Sequence, residues 1–187
     1  MKADILYREF DFKAAGDGMV EGLASVFHNI DSYGEIVDDE AFDQDLDYFL
    51  KSGFVGGLNH DWDHPIGKPM EAKKQRSGLW VKGRISDTDH GRECRKLMQD
   101  GVVQKLSIGF RRLGRQDLEN AEECMGYWEG KGYTPNADDL ARAQYGATVL
   151  TRAKLYEFSP VTMPANDLAA ITAVKNDELD GLKSLRD

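Results

Sequence analysis

Three widely separated stretches of the sequence hold side chains that could move protons or attack a carbonyl. The first is Leu58-Asn-His-Asp-Trp-Asp-His-Pro-Ile-Gly67, which contains two of the four histidines in the chain, His60 and His64. Their i, i+4 spacing, with Asp61 and Asp63 between them, is that of a zinc-binding helix face. Such a face needs a helix, and Gly56, Gly57, Pro65 and Gly67 predict a strand running into a turn instead. A general base needs one imidazole. His60, at the end of an apolar stretch, is better held than His64 beside a proline, and a positioned base contributes about 10²- to 10⁴-fold to a rate. The competing reading is a surface turn with solvated histidines.

The second stretch is Val102-Val-Gln-Lys-Leu-Ser-Ile-Gly-Phe-Arg-Arg112. Strand periodicity sends Leu106, Ile108 and Phe110 to one face and Lys105, Ser107, Gly109 and Arg111 to the other. Ser107 is then a candidate nucleophile on the less apolar face, with Gly109 leaving room for a substrate backbone and Arg111 or Arg112 near a developing oxyanion. The alternative is an ordinary strand serine, since the G-x-S-x-G elbow is absent. The third stretch, Leu155-Tyr-Glu-Phe-Ser-Pro-Val-Thr-Met-Pro-Ala-Asn166, puts Glu157 on the face of Val149, Ala153 and Leu155. A carboxylate among apolar neighbours must accept hydrogen bonds, from a histidine N–H or from an arginine such as Arg152. Ser159, before Pro160, reads as a turn residue, and Cys94 as a small residue on a helix face.

The elements that must position these groups are legible in outline. Residues 5–12 and 19–27 read as a hairpin, and 39–52 as an amphipathic helix with Phe42, Leu46, Phe49 and Leu50 on one side. A short apolar strand follows at 54–60, another strand at 78–86, and a helix capped by Thr88 that runs to Gly101. Strands are predicted again at 102–112 and 147–161. Between them, 116–146 carries seven acidic residues against two basic and is expected to stay solvated as an insertion or mobile loop. The tail from 176 is polar. With 187 residues, 41% of them hydrophobic, the chain suits one domain, 1–175, plus that tail 176–187.

Composition narrows the function classes. A net charge of −9 and a pI near 5.0 argue against binding nucleic acid or an anionic membrane. No apolar run approaches the roughly 20 residues of a membrane helix, and MKADILYREFDFK has no h-region, which predicts a soluble chain without a standard secretion signal. Two cysteines, Cys94 and Cys124, give neither a disulfide framework nor a thiolate metal cage, and fit a reducing compartment. No cofactor or metal is expected.

Taken together, EGLASVFHNIDSYGEIVDDEAF (21–42), GGLNHDWDHPIG (56–67), GLWVKGRI (78–85), KLSIGF (105–110) and YEFSPVTMPAND (156–167) resemble the prohead maturation proteases of tailed phages, whose fold is related to herpesvirus assemblin. The resemblance implies an α+β fold with a mostly antiparallel β-barrel core surrounded by helices. It also implies a serine endopeptidase in which Ser107 attacks the peptide carbonyl and His60 takes its proton. Herpesvirus enzymes use a second histidine late in the chain, whereas no histidine follows His90 here, so the resemblance carries the third role to Glu157, with Asp61 as its rival. It places the enzyme in the host cytoplasm inside the assembling prohead. There it would cleave scaffold, the N-terminal part of the major capsid protein, or both, and itself, with homodimerisation by analogy. The segment 116–146 is longer than a minimal member requires and would be a lid, a dimer arm or a capsid contact. Two rivals stand beside this reading: a catalytically inactive capsid-assembly or scaffolding protein on the same fold, and a metal-dependent hydrolase using His60, His64 and Asp63.

Overall fold

The computed structural model describes residues 18–174; the expected strand at 5–12 and the tail from 176 lie outside the described residues. Strands β1 (Met19–Val26), β4 (Gly67–Gln75) and β5 (Gly78–Ile85) form an antiparallel layer with β5 in the middle. Alternation explains which side it buries: Val20 and Ala24 of β1 and Leu79, Val81 and Ile85 of β5 face the core. A second pair, β6 (Lys105–Leu118) and β7 (Ala147–Val161), runs antiparallel along nearly its full length. Two short strands, β2 (Glu35–Val37) and β3 (Phe54–Val55), lie parallel to β7, and β3 also bridges to β4, so one mixed sheet results. The last strand, β8 (Ala170–Val174), pairs with β1.

The fold is α+β as expected, but the barrel is not closed. The sheet's two outer strands, β6 and β8, build no ladder among the described residues; one backbone bond, Ile171 N–H to the carbonyl of Gln104 just before β6 (2.9 Å), links their ends. Two-residue β3 and three-residue β2 are too short to carry a continuous ring of backbone bonds across the sheet.

Helix α1 (Leu46–Ser52) packs Phe49 edge-on to Phe158, with centroids 6.5 Å apart. It is half the length that the spacing of Phe42, Leu46, Phe49 and Leu50 predicts. The Asp38 side chain takes the Glu40 N–H, and three-residue-spaced bonds from Ala41, Asp43 and Asp45 wind 39–45 as successive turns instead of α-helix. Helix α2 (Asp89–Gln99) begins where the sequence puts it: the Thr88 hydroxyl oxygen accepts from Gly91 N–H, and Gly91, Cys94 and Met98 face inward. Burial pushes the Cys94 thiol up to about 12, so it is a packing group.

The segment 116–146 differs most from expectation. It completes β6 and then forms α3 (Ala121–Lys131) and α4 (Ala137–Ala143), which bury Cys124, Trp128 and Ala143 against Ile30, Ile36 and Val149 in a second small core. Its acidic residues are not all solvated. Asp139 is buried, accepting from Ile30 N–H, Tyr133 O–H and Asn136 N–H. Asn120 and Asn136 cap the two helices through side-chain oxygens, a use of polar residues that bulk composition conceals.

Candidate active site

The site is assembled where β3, β6 and β7 lie side by side. Beyond β3 the chain keeps following β7: Gly56 N–H donates to Phe158 O and Asn59 N–H to Pro160 O, both at 3.0 Å. It then turns back, with Gly57 N–H reaching Asp61 O. Asn59 and His60 occupy the left-handed region (φ 59° and 62°), uncommon for residues with side chains. The turn is pinned because the Asn59 side-chain oxygen accepts from Thr162 N–H and Oγ1 just past the end of β7.

This geometry delivers the His60 ring to Glu157, with Nδ1 to Oε1 at 2.6 Å. Glu157 is fully buried, while the His60 side chain keeps 36% of its surface and stays reachable from solvent. The second carboxylate oxygen, Oε2, accepts from the Ser159 hydroxyl. Space for the carboxylate comes from two missing side chains. A Cβ on Gly109 would sit 2.2 Å from Oε1, and a Cβ on Gly56 would sit 2.8 Å from Oε2 and 2.3 Å from Ser159 Oγ. Both contacts are far inside van der Waals range, so the acid lies in a slot with backbone on either side.

Register places the serine. Gly109 pairs with Glu157 and Ser107 with Ser159 across β6 and β7, and directly opposed residues share a face. Ser107, itself nearly buried, lines with His60 a cleft of about 280 Å³ walled by Leu106, Ile108, Asp31 and Glu35. Its hydroxyl has no hydrogen-bond partner among the described residues, so His60 and Ser107 face a common space without a direct bond. In the neutral imidazole, a proton on Nδ1 held by Glu157 leaves the lone pair on Nε2. The cleft can therefore offer a hydroxyl, a proton acceptor and a buried negative charge behind it.

Other expected groups lie elsewhere. Asp61 is bonded to His64 (Oδ2 to Nδ1, 2.8 Å), and its Oδ1 takes the N–H groups of Asp63 and His64. These bonds, the His64 side chain first, hold its carboxyl below the usual range. His64 stacks on His90 at 4.2 Å between centroids. The segment 60–64 is a turn, and the two imidazoles engage different carboxylates, so His60, His64 and Asp63 do not gather as a metal set. Among the described residues, His28, Asp38 and Asp39 do converge. There the Lys131 ammonium already sits on both carboxylates, at 3.0 Å and 2.9 Å. Arg152 is exposed on β7 and is not the partner of Glu157. Arg112 pairs with Glu35 at the cleft rim.

Sequence reasoning missed the roles of four contributors. Ser159 lies inside β7, fully buried against Glu157, and not in a Ser-Pro turn. Gly109 makes room for the carboxylate, a role the sequence did not suggest, and Gly56 does the same from the other side. Asp31, in the cleft wall, accepts from the N–H groups of Tyr33 and Glu35, and its burial raises its pKa above the ordinary carboxylate value. The Asp-Ser-Tyr-Gly run after Ile30 was the available signal for that turn.

The sequence profile of the family described as Caudovirus prohead serine protease matches residues 7–183. The prohead protease of Enterobacteria phage HK97 is 29% identical over 185 residues, covering 97% of this chain and 71% of that protein. A capsid polyprotein of Pseudomonas phage PAJU2 is 27% identical over 199 residues, covering 99% of this chain and 25% of that longer protein. Among solved structures, the bacteriophage T4 capsid assembly protease superposes with a TM-score of 0.50 over 78% of this chain and 82% of that one. At 9% identity it is a likeness of fold.

Proposed function

Because the chain belongs to the caudovirus prohead serine protease family, whose work is capsid maturation, we propose that it is a serine endopeptidase with Ser107 as nucleophile, His60 as general base and Glu157 as the orienting acid. One observation carries the reading: the imidazole that shares a cleft with Ser107 is bonded at Nδ1 to a fully buried carboxylate. In the proposed reaction, Ser107 Oγ bonds to the carbonyl carbon of the scissile peptide as its proton passes to His60 Nε2. Collapse of the tetrahedral intermediate breaks the C–N bond, and that proton leaves on the amine. Water then enters by the same steps, freeing the new carboxyl end and restoring the hydroxyl. Glu157 holds the tautomer and stabilises the imidazolium without taking the proton. With Arg112 engaged by Glu35, the oxyanion contact is left to backbone N–H groups or to Arg111.

The proposed substrates are scaffold, the N-terminal part of the major capsid protein, or both, and the enzyme itself, inside the assembling prohead in the host cytoplasm, with the enzyme acting as a homodimer. The likeness to a capsid polyprotein supports a capsid-protein substrate. The test is co-expression of the wild type or Ser107→Ala with the major capsid protein, fragments being read by mass spectrometry. Processing is expected from the wild type and absent from the variant; undiminished processing by Ser107→Ala overturns the assignment. A fluorophosphonate should label Ser107, and folded protein that refuses the label points to an inactive assembly protein.

A further inference from the structure

His60 stands between two troughs. On one side is the Ser107 cleft, which mixes Asp31, Glu35 and Arg112 with the exposed side chains of Tyr33 and Met163; on the other, a shallower trough of about 400 Å³ is formed by Trp62, Ile108, Gly109 and Phe110, with His60 its one titratable group. Ile108 and Phe110 line both, so the two are continuous across the strand that carries Ser107. The charges of the first trough are internally engaged: Glu35 is bonded to Arg112, and Asp31 caps its own turn. The second has apolar surface with nothing on it. Trp62 is 51% exposed, yet its ring is fixed edge-on between Phe54 (5.7 Å, 88°) and Tyr156 (6.2 Å, 67°). A half-exposed indole braced by two aromatic rings, two residues from His60, is a preorganised apolar wall, costing little further ordering when a side chain packs on it.

We propose that Trp62 forms the wall of a substrate subsite that takes a large apolar side chain within two residues of the scissile bond, on the side of the cut lying over Trp62. The proposal rests on the protease reading above and gives its substrate class. An extended peptide crossing Ser107 and His60 runs from the mixed cleft into the Trp62 trough, so a side chain on that side of the cut meets the braced indole. Packing of one such side chain on an aromatic wall corresponds to roughly a 10- to 200-fold selectivity over a small residue.

The experiment digests a peptide library with the wild type, Trp62→Ala, Trp62→Phe and Ser107→Ala, and reads cut sites by mass spectrometry. Matched peptides carrying Leu, Phe or Ala at the enriched position then give ratios of kcat/KM. The wild type should prefer the bulky residue about tenfold or more. That ratio should fall toward one in Trp62→Ala and be largely kept in Trp62→Phe. Because a ratio is read, a general loss of activity in a variant does not imitate the result. A wild type without bulky apolar enrichment near the cut, or a ratio that survives in Trp62→Ala, overturns the subsite while leaving the protease reading intact. Cutting that persists in Ser107→Ala, or a folded wild type that cuts nothing, overturns the protease reading and the subsite with it.

Discussion

Two histidines of one short turn each bond a carboxylate, and the two pairs differ in almost everything except bond length. His64 and Asp61 are bonded at 2.8 Å with 51% and 41% of their side chains exposed, and both belong to the same local turn. His60 and Glu157 are bonded at 2.6 Å across 97 residues of sequence, with the carboxylate wholly buried. Water screens the first pair, which is worth little. The second joins two strands, and its acid lies where backbone and Ser159 replace solvent, so removing one member strands a buried charge or an unmet acceptor. A histidine beside an acid is ordinary; an acid that the fold has desolvated and packed between two glycines is a built feature.

That contrast can be broken most directly at the acids. Glu157→Gln keeps size and removes the charge, presenting an amide that can favour the wrong His60 tautomer. Peptide cleavage is expected to fall by about 10²- to 10⁴-fold in kcat. Asp61→Asn should stay within a few-fold of the wild type, and an equal loss in both would erase the distinction between the pairs. Next in size is the slot itself. Gly109→Ala forces a Cβ into Oε1 and should destabilise the fold by about 1–3 kcal/mol in urea melts, while Gly130→Ala, exposed on α3 where a Cβ meets nothing within 4 Å, should cost nothing. Ser159→Ala leaves Oε2 without its donor, for about 1–3 kcal/mol. Stability unmoved by either substitution would mean that the carboxylate is not confined.

The sequence discloses these parts unevenly, for physical reasons. Period-two patterning is local, so the opposite faces of Leu106 and Ser107 can be read from the strand alone, and a carboxylate among Val149, Ala153 and Leu155 announces a need for donors. Which donor meets it depends on β3 lying against β7, a contact between residues about a hundred positions apart that no local pattern specifies. The roles of Gly109 and Ser159 depend on the register of β6 on β7, including the irregularity that lets Gly109 face Glu157 while Phe110 faces Leu155. Likewise 116–146 looks solvated by charge count, although four of its seven acids and both its asparagines stand at helix starts and Trp128 stands where α3 meets the second core. The barrel expected from resemblance stops short because strand length decides closure.

A third histidine, His28, sharpens the comparison with the smallest effect. Its Nδ1 is 3.0 Å from the Tyr127 hydroxyl and its Nε2 3.8 Å from Asp39, and the tilted Tyr133 ring lies at 5.8 Å; α3 thus covers it and supplies the Lys131 cation beside it. Burial is the largest influence and lowers its pKa from 6.5, opposed by Asp39 and Asp38 and aided by Lys131. The folded state therefore favours the neutral ring. As pH falls below 6.5 the unfolded chain binds a proton that the folded chain resists, so the stability present above 6.5 is progressively lost toward the lower folded value. Thermal melts at about pH 7.5 and about pH 5.5 should show a larger decline for the wild type than for His28→Gln, which has no ring to protonate. Equal declines would mean that this histidine is as well solvated as His64, and that coverage by α3 does not set it apart.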